Sequence, residues 1–318
     1  MTDSEQPHLG KKAETKAALR AAVFRAARTL EDHIDEPPNT AALAASAGVS
    51  KSHFQRAFRD VVGETVQKHT LRLRVERAAS LLKYSNWQVA DIALACGFST
   101  QASFNRSFKQ LYCQSPLEFR KAKATVPFLR GHFRSRPNAT LESNKQPLPT
   151  VTIENWSEIE AVCLRYYGSV NECYRPWIEL ISWARHHVSS YRESRFFGLW
   201  FDDFSDLGVE ANYRYECLIV PQQLPEEVPD PFFVRKISAG EVAVARASGR
   251  LRDLEAAWEA FGTGWLPFSG FQPRGDYVID EYPTDLVTAS LPRKALATAL
   301  GTIQMRMCIP VQRTPLAM

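Results

Sequence analysis

Several protein classes are set aside by what the 318-residue chain does not contain. No run of about 18 uncharged apolar residues occurs, which argues against a membrane-spanning helix. The polar start MTDSEQPHLGKK has no apolar stretch of the kind a secretory leader needs. The expected location is therefore the cytoplasm, with no membrane partner. Cys96, Cys113, Cys163, Cys173, Cys217 and Cys308 are scattered, without a CxxC pair or a histidine at zinc spacing, and read as small apolar side chains in a reducing compartment. No metal site is expected, and the adjacent His186 and His187, with no partner at i, i+4, read as the surface of a helix. Neither a nucleophile elbow nor a P-loop is present, so no cofactor is implied and the chain is read as non-enzymatic.

What is present divides the chain in two. Between Lys11 and Lys123 there are 19 Lys and Arg against 10 Asp and Glu, whereas from Ala124 onward there are 20 against 23. A basic N-terminal part suits a polyanionic partner such as double-stranded DNA. Residues 124–149 carry four prolines and no sustained period, the composition of a linker, and 1–14 are expected to be disordered. Before the linker, helical spacing dominates. After it come alternating runs such as YECLIV, EVAVAR and IQMRMCIPV. The predicted fold is multidomain: an all-α part over 15–123, with two helix-turn-helix units joined by a long helix, then an α+β part over 150–318.

The all-α part writes one phrase twice. FQRAFR begins at Phe54 and FNRSFK at Phe104. Each follows a short helix and a turn containing Gly48 or Gly97, with a hydroxyl residue placed to cap the next helix. In the first unit Phe54, Ala57, Phe58 and Val61 form the apolar stripe, leaving Lys51, Ser52, Gln55, Arg56 and Arg59 outside. In the second, Phe104 and Phe108 repeat the stripe, leaving Gln101, Ala102, Asn105, Arg106 and Lys109 outside. Gln, Asn and Arg make paired hydrogen bonds with base edges in the major groove. The intervening helix, with Leu71, Val75, Ala78 and Leu82 on one stripe, has about 20 residues and spans roughly 30 Å, close to the roughly 34 Å between successive major-groove faces. One chain is thereby expected to read two adjacent grooves.

On these motifs, together with RVERAASLL and the closing SPLEFR, residues 15–123 resemble the DNA-binding domain of the AraC/XylS family of transcription regulators. The resemblance implies base reading by Ser52, Gln55 and Arg56 in the first unit and by Gln101, Ala102, Asn105 and Arg106 in the second. It implies phosphate contacts by Lys51, Arg59, Lys109 and the helix beginning near Pro116. RNA polymerase is a possible further partner.

The second part is also duplicated. Gly168-x8-Trp177 recurs as Gly249-x8-Trp258, each copy after a hydrophobic strand and opening a helix, then leading to two strand-like runs. The unit is β-α-β-β, or ββαββ if short strands near Val151 and Phe233 count, and two such units can join around a cleft. With LWFDD, RYECLIV and the terminal IPV, this part resembles the GyrI-like effector-binding domain. That resemblance implies a lipophilic or cationic small molecule held by aromatic rings and a carboxylate on the penultimate strand, where YVIDEY offers Asp280 with Glu281 beside it. The candidate ligand residues are Tyr166, Trp200, Glu216, Asp280, Glu281 and Tyr282. Three functions fit the sequence: a regulator sensing a small molecule, a regulator whose second part contacts protein without a ligand, and a hydrolase of reactive compounds in which a carboxylate activates water.

Overall fold

The computed structural model describes residues 6–121, 149–169, 172–189, 191–202, 213–249, 251–275, 277–284 and 303–313. The chain divides into two compact units, Met1–Leu82 with Asn86–Phe119 and Pro229–Pro231 in one, and the remainder in the other. The expected linker at 124–149 lies outside the described residues as far as 148.

The first unit contains α1 (Gln6–Asp32), α2 (Thr40–Ser46), α3 (Lys51–Val62), α4 (Val66–Tyr84), α5 (Val89–Ala95) and α6 (Gln101–Tyr112), with α7 (Pro116–Lys121) at its end. Helix α1 begins at Gln6, so helix enters the stretch 1–14 where disorder is expected from the sequence. Its run of Ala, Leu, Lys and Arg favours helix, and Ala21–Phe24, Ala26, Ala27 and Leu30 give it a buried face.

Both helix-turn-helix units form as the sequence indicates. Gly48 and Gly97 take φ of 66° and 76°, the left-handed conformation that ends a helix. Ser50 then accepts from the His53 amide at 3.3 Å, and Thr100 from the Ser103 amide at 3.1 Å, starting α3 and α6. Phe54 and Phe58 are buried in α3, and Phe104 and Phe108 in α6. Two details of the expected stripes change. The residue completing the α3 stripe is Val62, four on from Phe58, while Ala57 and Val61 are only half-buried. On α4, Leu71 is 38% exposed and Leu73 is buried in its place, because the helix packs on both helix-turn-helix motifs, His69 against Phe58 of the first and Val75, Ala78, Ala79 and Leu82 against the second.

The second unit is duplicated ββαββ. Its first half has β1 (Val151–Trp156), β2 (Ile159–Gly168), α8 (Tyr174–His187), β3 (Arg195–Trp200) and β4 (Tyr213–Val220). The second has β5 (Phe233–Ile237), β6 (Gly240–Gly249), α9 (Leu251–Glu259), a short β7 (Phe271–Pro273), β8 (Val278–Tyr282) and β9 (Ile303–Arg313). The short strands near Val151 and Phe233 therefore do count. The order β1-β6-β9-β8-β3-β4-β2-β5, with β7 on β9, reads alike from either end once each strand is exchanged for its counterpart. A pseudo-twofold axis thus runs between β3 and β8, and β1 and β5 each cross to the other half's sheet.

Strand alternation gives the sheet two inner faces. One packs Trp156, Ile159, Ala161, Cys163, Phe197, Leu199, Leu218 and Ile279 into an apolar core. The other meets α8 and α9. Ion pairs tie the crossed strands down with opposite polarity. Arg235 of β5 pairs with Glu216 of β4, whereas Glu154 of β1 pairs with Arg306 of β9 at 2.5 Å.

Candidate DNA-reading faces and a buried carboxylate site

Each reading helix presents one polar face because its phenylalanines point inward. The Phe54 and Phe58 rings lie 6.0 Å apart and those of Phe104 and Phe108 5.5 Å apart, both pairs fully buried. That fixes the rotation of each helix about its axis. Lys51, Ser52, Gln55, Arg56 and Arg59 are exposed on α3, and Gln101, Ala102, Asn105, Arg106 and Lys109 on α6. The base-reading and phosphate-contacting residues named on α3 and α6 therefore lie on open faces, whereas Pro116 at the start of α7 is buried. The start of α4 is braced by Glu64, which accepts from Arg72 at 2.8 Å and lies 2.9 Å from His69 Nδ1. Burial alone would raise the Glu64 carboxyl, but these hydrogen bonds and charges outweigh it and hold the group down at about 2.

The second unit brings Trp200, Asp280 and Tyr282 together against the helices. Asp280 is 6% exposed and lies opposite Gly198 in the β3–β8 ladder. It accepts from Trp200 Nε1 at 2.8 Å, from Trp258 Nε1 at 3.0 Å and from the Tyr282 hydroxyl at 3.2 Å. All three donors are neutral. Burial is the largest influence on the carboxyl and, only partly offset by these bonds, pushes it up to about 6. Rings enclose the site: Trp200 lies 4.2 Å from Tyr215, and Trp177 meets Tyr282 edge-on at 5.7 Å. Trp177 Nε1 donates to the Tyr215 hydroxyl at 2.8 Å, so α8 and α9 each contribute one indole N–H to the network. A Cβ at Gly198 would collide with that same hydroxyl, which is why β3 carries a glycine opposite the acid. Cys173 borders the site with its thiol pushed up to about 12 by burial and by the Asp280 charge, leaving it protonated and unreactive.

The other acids named from the sequence go elsewhere. Glu216 projects to the opposite face, where it is fully buried and accepts from Arg165 Nε at 2.6 Å and from Arg235 Nη2 at 2.8 Å. Glu281, next to Asp280 and so on the other face, accepts from Arg195 at 2.9 Å and from Arg306 at 2.5 Å. Both are already neutralised by guanidinium groups, which removes them from the aromatic site. Tyr166 shares the face of Asp280 but is half-buried and donates to the Ser169 carbonyl at 3.2 Å. Trp177 and Trp258 were missed as site residues, although the Gly-x8-Trp repeat had marked both. Among the described residues no group of three or more His, Cys, Asp or Glu could hold a metal ion, and no helix is long and apolar enough to cross a membrane.

The chain matches the model of a helix-turn-helix domain over residues 43–122 and that of the GyrI-like small molecule binding domain over 149–311. It is 37% identical over 93 residues to the right origin-binding protein of Escherichia coli, covering 29% of this chain and 32% of that protein. It is 32% identical over 91 residues to the regulatory protein SoxS of Salmonella typhimurium, covering 29% of this chain and 85% of SoxS. A solved transcriptional regulator of the AraC type from Chromobacterium violaceum is similar at 32% identity, over 31% of this chain and 88% of that one, with a TM-score of 0.30. The chain spans about a third of the length of the first curated relatives it matches.

Proposed function

We propose a function for a chain that belongs to the AraC/XylS helix-turn-helix regulators and carries a GyrI-like small molecule binding domain: it binds duplex DNA in two adjacent major grooves and senses a lipophilic monocation at Asp280. The carrying observation is the company that Asp280 keeps. Glu216, Glu281 and Asp202 each pair with at least one arginine, whereas Asp280 is sealed among neutral indole and phenol donors. A buried carboxylate without a cation is costly, and aromatic rings around it offer the faces a desolvated cation prefers. Both oxygens of Asp280 are occupied by fixed donors, which supports holding charge rather than activating water, so the chain is read as a binding protein and not a hydrolase.

In this reading Gln55, Arg56, Gln101, Asn105 and Arg106 read bases, Ser52 contributes a small contact, and Lys51, Arg59 and Lys109 hold phosphate. RNA polymerase is the proposed protein partner at a promoter. Calorimetric titration with a tetraarylphosphonium cation and with a neutral triarylphosphine oxide tests the ligand class. Binding of the cation alone is expected, and equal binding of both would refute a role for the Asp280 charge. For the DNA faces, Arg106→Ala should cost about 1–3 kcal/mol and relax selection at one base position. An equal loss on every sequence would make Arg106 a phosphate contact.

A further inference from the structure

Arg74 lies midway along α4, on neither reading face, yet its guanidinium joins three separate backbone positions. Nε donates to the Ile34 carbonyl at 2.5 Å, Nη2 to the Glu36 carbonyl at 2.8 Å and Nη1 to the Gly97 carbonyl at 2.7 Å. The first two acceptors sit between α1 and α2, at the entry to the first helix-turn-helix. The third is in the turn between α5 and α6, inside the second. The same place is crowded at backbone level, because a Cβ on Gly97 would lie 2.6 Å from the Asp35 carbonyl oxygen and 2.8 Å from Arg74 Cζ. A glycine with φ of 76° therefore lets the second turn close directly onto the segment leading into the first.

We infer that Arg74 is the positioning residue that fixes the two reading helices relative to one another, and so sets the groove-to-groove spacing of the DNA this chain accepts. The inference rests on the two-groove reading proposed above. A planar fork with five N–H groups can hold three carbonyls at fixed mutual angles, whereas an ammonium at the same place is a single point of attachment. With three of its N–H groups turned onto backbone carbonyls, the role assigned to Arg74 is positioning and needs no contact with DNA. When two binding elements are rigidly held at the right span, the second contact forms at high effective concentration. A loosened joint lowers that concentration without altering either contact.

The test uses the full chain, with an operator recovered by selection from random-sequence DNA and a second duplex in which one half-site is scrambled. Wild-type protein should bind the intact operator far more tightly than the scrambled duplex. Near-equal binding would show that the two-groove reading itself fails, independently of Arg74. Given that preference, Arg74→Lys should bind the scrambled duplex within about twofold of wild type, lose roughly tenfold to hundredfold on the intact operator, and tolerate a one-base-pair insertion between half-sites that wild type rejects. Arg74→Gln, whose planar amide has only two N–H donors and so cannot hold all three carbonyls, should give the same pattern, which keeps the test decisive if Arg74→Lys fails to fold. Equal losses on both duplexes would reduce Arg74 to a general folding role, and full affinity for the intact operator would show that the joint does not set the spacing.

Discussion

At the scale of single residues, the chemistry of the second unit turns on one carboxyl group. The Asp280 carboxyl is raised from 3.8 to about 6, so its ionised form opposes folding. The sign follows from linkage: the folded state holds its proton more tightly, so stability falls as pH rises from about 4 to about 6, by about 3 kcal/mol in total, and is level above that. A bound cation reverses the balance. Affinity for a tetraarylphosphonium ion should therefore rise between pH 5 and pH 7 and then plateau, as read by titration at each pH. Asp280→Asn should remove that dependence and weaken binding by roughly 2–5 kcal/mol. A flat profile in the wild type would place the cation elsewhere. Three acids, Glu216, Asp280 and Glu281, fit the sequence, since a two-residue alternation tells which neighbours share a face but not which face meets the helices. Glu216 looked equally suitable, because its partner Arg165 is 51 residues away and Arg235 is 19 away, across strand pairings that no local period records.

Between elements, the exchange of β1 and β5 carries its own charge pattern. The ladders β1–β6 and β2–β5 are equivalent about the pseudo-twofold axis, and Glu154 and Arg235 occupy matching positions in them. Were β1 to fold back onto β2 it would take the place of β5, and Glu154 would face Glu216. The converse error would set Arg235 against Arg306. The opposite polarity of the two ion pairs thus favours the exchanged arrangement over each half closing on itself. Glu154→Arg places two guanidinium groups together and should lower stability by about 1 kcal/mol in urea unfolding, whereas Glu154→Gln, which removes the pair without a like charge, should cost less. Equal losses from the two substitutions would mean that the charge of the pair is incidental. Local elements were readable beforehand: both turns with their caps, both phenylalanine pairs, and the duplicated strand-helix-strand order follow from glycine, hydroxyl and apolar positions a few residues apart. The crossing of β1 and β5 was not, and neither was the grip of Arg74 on Ile34, 40 residues earlier, because both are long-range pairings.

Across the whole molecule, the basic excess between Lys11 and Lys123 and the acidic excess after Ala124 separate the two proposed tasks into two units. The first puts Arg56 and Arg106 on exposed faces over buried phenylalanine pairs, and the second buries Asp280 among neutral indole and phenol donors. A regulator needs both to act together, since a ligand changes DNA-dependent output only if it favours one state of the chain over another. The most direct measurement is transcription in vitro from a promoter carrying the selected operator, with purified chain and RNA polymerase, with and without a saturating tetraarylphosphonium salt. Output should change with the cation for wild type, stay constant for Asp280→Asn, and show no dependence on the protein for the double substitution Arg56→Ala and Arg106→Ala. The same output with and without the cation, or the same response from Asp280→Asn, would contradict the proposed function.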